Sequence, residues 1–371
     1  MSGPALLSKV RKDTGSRWMM RAVGAPLERE EFPLVEPRPG EALIEVAGCG
    51  VCHTDLGYLF DGVATRAALP LALGHEISGY VRAAGPGSES WIGKAVVVPA
   101  VTPCGACAVC RSGNGTICAQ QTMPGNDVHG GFATHVTVPA RGLCEVPGAA
   151  EAGARTLGRS DCTLAQLSVL ADAVSTPYQA LQRAQVGPGD LVIVIGLGGV
   201  GGFATQIASA RGAVVAGFDV AAARLELLSR HGLSLGLDPR AHTPKELKAQ
   251  LRALARERGA RDVRWKIFEC SGTAAGQELA WSLLGPGAYL SVVGFTLDKI
   301  QLRLSNLMAF DAHAAGNWGC LPELYPAALA LLLDGRVAVA PFVEIHPLER
   351  AWEVLCAARE HRLERRAVLV P

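Results

Sequence analysis

Four cysteines crowd one short stretch, "VTPCGACAVCRSGNGTIC", at Cys104, Cys107, Cys110 and Cys118. Thiolates so closely spaced can close a tetrahedral metal site that leaves no open position. Such a site would staple a loop that has little core of its own. Spacing alone also admits an iron–sulfur cluster or paired disulfides. A second group is scattered along the chain. "AGCGVCHTDLGY" carries Cys52, His53, Thr54 and Asp55, and "LALGHEISGYV" carries His75 beside Glu76. Alone, Cys52 reads as a buried thiol and the His–Glu pair decides nothing. Together, Cys52, His75 and one further ligand would leave a fourth position for water or substrate, which is the mark of a catalytic zinc. Glu76 could orient that site or approach the metal transiently, and Asp55 could accept the free ring N–H of His75.

A third stretch, "DLVIVIGLGGVGGFATQIA", has the pattern of a phosphate-binding turn. Gly196, Gly198, Gly199, Val200 and Gly201 follow an apolar strand and open a helix. The first glycine permits the tight turn, the second lets backbone approach a pyrophosphate, and the third lets helix and strand pack closely. The phosphate then sits on the free amides of the helix N-terminus. The next strand ends in Asp219, eighteen residues past Gly201, where a carboxylate would bind the adenosine ribose hydroxyls. A negative charge there repels a 2′-phosphate, so NAD is favoured over NADP. Arg224, just beyond, joins the cofactor-binding set.

These groups need two kinds of scaffold. From about residue 15 to 150 the chain shows short strand-like runs broken by turn residues, which predicts an antiparallel, barrel-like β domain. From about 190 strands and helices alternate: "DLVIVIG", "GVGGFATQIASARG", "AVVAGFD", "AAARLELLSRHG", the amphipathic "TPKELKAQLRALARERG", "WKIFEC" and "AYLSVVGF". That rhythm predicts a parallel sheet with helices on both faces. A chain of 371 residues accommodates about two such domains. The net charge of +1, from 35 basic and 34 acidic residues, excludes a nucleic-acid footprint and a polybasic membrane patch. Apolar runs such as "YPAALALLLDG" are too short to span a bilayer, and the first residues lack the apolar core of a signal peptide. A cytoplasmic protein is expected, with most of its eleven cysteines reduced.

With these motifs in this order, the sequence resembles the zinc-dependent medium-chain alcohol dehydrogenases over nearly its whole length. The resemblance implies an α/β fold: a GroES-like β-barrel catalytic domain over 1–173, to which 319–371 returns, and a Rossmann NAD-binding domain over 174–318. It implies two zinc ions per subunit. Cys104, Cys107, Cys110 and Cys118 hold the structural one, and Cys52 and His75 hold the catalytic one. The third catalytic ligand falls in "LADAVSTPYQAL", where many members have Cys and some secondary-alcohol members have Asp; here it is Asp172. Thr54 is the hydroxyl that touches the substrate oxygen. His53 stands where the family often has a cation near the cofactor pyrophosphate, and Arg366 matches another such contact. The His that relays the alcohol proton in many members is Gly57 here, so any relay must run through Thr54, the cofactor ribose and water or His53. The implied chemistry is hydride transfer from a zinc-held alcohol to NAD.

Within the family, "RWMM", the cysteine loop and "MPGNDVHGGFATHV" look most like the 6-hydroxycyclohex-1-ene-1-carbonyl-CoA dehydrogenases of anaerobic benzoyl-CoA degradation. The expected substrate is then the ring hydroxyl of a CoA thioester, oxidised to the 6-oxo enone. The alternatives are a general secondary-alcohol or polyol dehydrogenase, and zinc-dependent water addition to an enoyl-CoA. A dimer or tetramer is expected, joined through the sheet edge near "AYLSVVGF".

Overall fold

The computed structural model describes residues 14–149 and 155–371, so the reading of the first thirteen residues lies outside them. A six-stranded parallel sheet holds Leu235–Leu237, Val214–Phe218, Leu191–Ile195, Lys266–Glu269, Tyr289–Val292 and His313–Gly316, in that spatial order. By sequence the order is 3-2-1-4-5-6, so the topology reverses beside Leu191–Ile195. Ligands of open α/β sheets bind outside the carboxyl ends of the strands at that crevice. Leu191–Ile195 is buried along its whole length, as a central parallel strand must be. The helix Pro244–Arg258 shows how local chemistry sets the boundaries. Thr243 caps its start in a reciprocal box with Glu246, Pro244 fills the first turn, and Gly259 ends it in the left-handed conformation.

The second body is built on a largely antiparallel sheet. Glu41–Gly50 pairs with Glu76–Ala84 and with His135–Pro139, and Glu76–Ala84 pairs onward with Ala95–Val98. The end of the chain returns to it: Arg366–Val370 pairs antiparallel with Glu41–Gly50 and parallel with Val343–Pro347. A smaller sheet of Glu28–Pro33, Thr14–Met20 and Leu71–Ala72 completes it. The fold is thus an N-terminal GroES-like domain plus a Rossmann-type sheet. One apolar core runs through both: Val97, Leu167 and Leu170 belong to the same buried cluster as Val192, Phe203 and Tyr325. Among the described residues no helix is long and apolar enough to cross a membrane.

Candidate active site and metal centres

Cys52 ends the turn after Glu41–Gly50 and occupies the N-cap position of the helix His53–Phe60. His75 lies in the tight connection between the strands Leu71–Ala72 and Glu76–Ala84. Asp55 ties the two loops together. Its Oδ2 accepts the Cys52 N–H at 2.9 Å, and its Oδ1 accepts the Gly74 N–H at 3.1 Å. The same Oδ1 lies 3.5 Å from His75 Nδ1, which is buried and otherwise without a hydrogen-bond partner. Asp172, the third member, follows the short helix Gln166–Ala171 and arrives from the far side.

Asp172 Oδ2 stands 3.6 Å from Cys52 Sγ and 3.5 Å from His75 Nε2. Donor atoms around one tetrahedral zinc stand about 3.3–3.8 Å apart, given its bond lengths to S, N and O. The three residues therefore fit a zinc with an open position. Electrostatics agree. Burial opposes a charged imidazole, yet Asp55 and Asp172 push His75 well above its ordinary value. Burial likewise opposes ionisation of Asp172, but His75, Thr176 and Arg366 hold it down at about 2. The corner attracts a cation.

Glu76 is within reach of the same point, but the structure engages it elsewhere. Both its oxygens accept hydrogen bonds from Arg366, one from Nε at 2.9 Å, in a fully buried ion pair. Cys52, His75 and Asp172 are left as the donors facing one another. The pair spans 290 residues of sequence, and no local pattern signalled it.

The cysteine loop passes the same distance test. Sγ–Sγ separations are 3.8 Å for Cys104–Cys110, 3.5 Å for Cys107–Cys110 and 3.7 Å for Cys107–Cys118. Tetrahedral thiolates on zinc stand about 3.8 Å apart. All eleven cysteines are free, so the disulfide alternative is set aside. The Ala106 amide donates to Cys104 Sγ, and such backbone donors pull that thiol down to about 6. Cys107 is lowered likewise by the Cys110 amide, whereas burial pushes Cys110 up to about 12, so the set is only partly poised as thiolate before a metal binds. The two clusters fit one structural and one catalytic zinc.

The glycine turn supplies the cofactor cradle. Gly196 has φ +81°, and a Cβ there would stand 2.5 Å from Ser271 Cα. A Cβ on Gly201 would strike the Gly196 carbonyl oxygen. Asp219 is nearly buried: its Oδ2 accepts the Leu197 N–H at 2.7 Å, its Oδ1 accepts the Ala221 N–H at 2.8 Å, and Arg224 Nη1 lies 3.5 Å away. It therefore shapes the loop. Arg366 Nη1 lies 2.6 Å from where a Gly199 Cβ would be, placing its charge over the start of the helix Gly199–Ala210. His53 opens the helix His53–Phe60 as an exposed residue; desolvation and the nearby charge of Arg366 push its pKa down to about 4. Thr54 Oγ1 lies 3.7 Å from Cys52 Sγ, at the open side of the corner.

Residues 38–148 match the model of the alcohol dehydrogenase GroES-like domain, and residues 199–334 match that of the zinc-binding dehydrogenases. An alcohol dehydrogenase of Rhizobium meliloti (strain 1021) is 36% identical over 322 residues, covering 86% of this chain and 88% of that protein. A sorbitol dehydrogenase of Halalkalibacterium halodurans is 28% identical over 309 residues, 81% of this chain and 84% of that one. The solved alcohol dehydrogenase of Aeropyrum pernix superposes with a TM-score of 0.81 at 28% identity, over 96% of this chain and all of that one.

Proposed function

Since the chain belongs to the zinc-dependent medium-chain alcohol dehydrogenases and is a zinc-dependent, NAD-linked oxidoreductase, we propose that it oxidises the secondary hydroxyl of a free alcohol or polyol. The substrate class rests on the relatives; the observation that supports hydride transfer between the metal corner and the dinucleotide is the reach of Arg366. It holds Glu76, the neighbour of His75, and also stands over Gly199, so one side chain joins the metal corner to the dinucleotide loop. Zinc bound by Cys52, His75 and Asp172 would act as a Lewis acid on the alcohol oxygen, and bound NAD would take up the hydride.

The chain's own residues do the rest. Thr54 Oγ1 accepts the hydroxyl's hydrogen bond and hands its proton toward solvent. Gly57 has no side chain to continue that path. Arg366 and Arg224 flank the glycine turn and supply positive charge for a pyrophosphate. Asp219 receives the adenosine ribose. On the proposed division into a catalytic unit over 1–173 and 319–371 and a cofactor unit over 174–318, this chemistry would lie in the cleft between them, where closure would exclude water.

The alcohol or polyol reading draws on the names of the relatives above, none of which is a CoA-thioester dehydrogenase. The ring hydroxyl of 6-hydroxycyclohex-1-ene-1-carbonyl-CoA is the second reading, resting only on the likeness of "RWMM", "GHEISG", "VTPCGACAVCRSG" and "MPGNDVHGGFATHV". A panel of free secondary alcohols, polyols and that thioester, each with NAD and followed by NADH absorbance, tests the choice. The proposal expects turnover of a free alcohol or polyol. Turnover of the thioester alone would reverse the two readings, and hydration of an enoyl-CoA without NAD would put water addition in their place.

A further inference from the structure

Asp172 brings to the metal corner what a cysteine there would not: a second donor atom. Oδ2 faces Cys52 Sγ and His75 Nε2, at 3.6 and 3.5 Å. Oδ1 is engaged separately, by a short hydrogen bond from the Thr176 hydroxyl. We propose that Thr176 is a positioning residue that holds Asp172 to a single metal-facing oxygen and so keeps the substrate's position free. The inference deepens the zinc-enzyme reading and rests on it.

Three features make the restraint firm. The Thr176 N–H donates to the Asp172 carbonyl at 2.8 Å, so the helical turn itself sets the reach between the two side chains. Thr176 is 7% exposed, and its β-branched side chain has few rotamers to escape to. The helix Ser175–Arg183 that carries it is in turn clamped from the nucleotide sheet. Asn317, just past the strand His313–Gly316, donates from Nδ2 to the Thr176 carbonyl at 3.2 Å. Asn317 Oδ1 accepts from Gln179 Nε2 at 3.2 Å and from Arg183 Nη1 at 3.1 Å. A hydroxyl donating to a carboxylate in such a setting is a charge-assisted bond, roughly twice as strong as a neutral one. Without it, Oδ1 loses its protein donor in a largely enclosed corner, and the carboxylate is free to turn both oxygens to the cation.

The test uses the full-length enzyme with cobalt(II) at the catalytic site and zinc in the cysteine loop. Thr176→Val should weaken the visible cobalt bands, because added coordination lowers their intensity, and should lower kcat/KM ~10- to 100-fold. Thr176→Ser should restore the wild-type spectrum. In the Asp172→Cys background, where the ligand has one donor atom, Thr176→Val should leave the cobalt spectrum of that background unchanged. An unchanged spectrum on Thr176→Val alone would overturn the proposal. Equal spectral loss in the Asp172→Cys background would do so too, because the hydroxyl would then serve something other than the second oxygen. Unaltered cobalt binding on Asp172→Ala would overturn the metal reading and this inference together, a failure separate from the other two.

Discussion

Asp219 does two things at once, and its substitution separates them. Its oxygens accept from Leu197 N and Ala221 N, and the proposed function sets its charge against the adenosine ribose. Asp219→Asn keeps an acceptor but removes the charge that repels a 2′-phosphate. The ratio of kcat/KM for NAD over NADP should fall by ~10-fold or more, the scale of one lost hydrogen bond to a charged group. Steady-state rates with both cofactors read it, and an unchanged ratio would remove Asp219 from the specificity role. The residues legible in the sequence were those whose type and local spacing already imply chemistry, such as Cys104 to Cys118 and the pair Cys52 and His75. Glu76 with Arg366, and Asn317 with Thr176, were not legible, because each pair joins segments far apart in sequence. Thr176 left one faint signal, a hydroxyl one helical turn after the carboxylate.

Periodicity made the elements of the nucleotide half readable. An unbroken apolar run became the central strand Leu191–Ile195, and a capping box opened Pro244–Arg258. The catalytic half was harder, since its small sheet pairs Thr14–Met20 with Leu71–Ala72 across a long connection. One strand end holds an unused buried acid. Glu269 closes Lys266–Glu269; its Oε1 accepts the Ser271 N–H at 2.8 Å, while its buried Oε2 has no partner. Burial raises its pKa above the usual carboxylate value of 4.5. The folded state therefore binds this proton more tightly than the unfolded chain, and stability falls as pH rises from 4.5 through the raised value. Glu269→Gln should flatten that slope in thermal melts of the cofactor-free protein. Parallel Tm–pH curves for the two proteins would show that the burial penalty is absent.

At the scale of the whole molecule, the cofactor sheet and the metal corner are joined by a shared core and by Arg366. The edge expected near "AYLSVVGF" is not one: Tyr289–Val292 pairs on both sides, with Lys266–Glu269 and His313–Gly316, so the sheet's edge lies one strand further out. His313–Gly316 pairs only with Tyr289–Val292 among the described residues, and Leu304 and Met308 just before it are 70% and 79% exposed. An edge strand with unpaired amides beside apolar side chains suits a second copy of the chain, paired about a two-fold axis that continues the sheet. Met308→Glu should shift sedimentation toward the monomer; a wild-type protein that already sediments as one would dismiss this surface. The account as a whole stands on one metal bound by Cys52, His75 and Asp172 and used in catalysis. The most direct measurement is zinc content together with NADH formation for the wild type and Asp172→Ala. The account predicts that the variant loses the catalytic zinc, keeps the zinc of the cysteine loop, and forms no NADH. A variant that retains both metals and the full rate would contradict it.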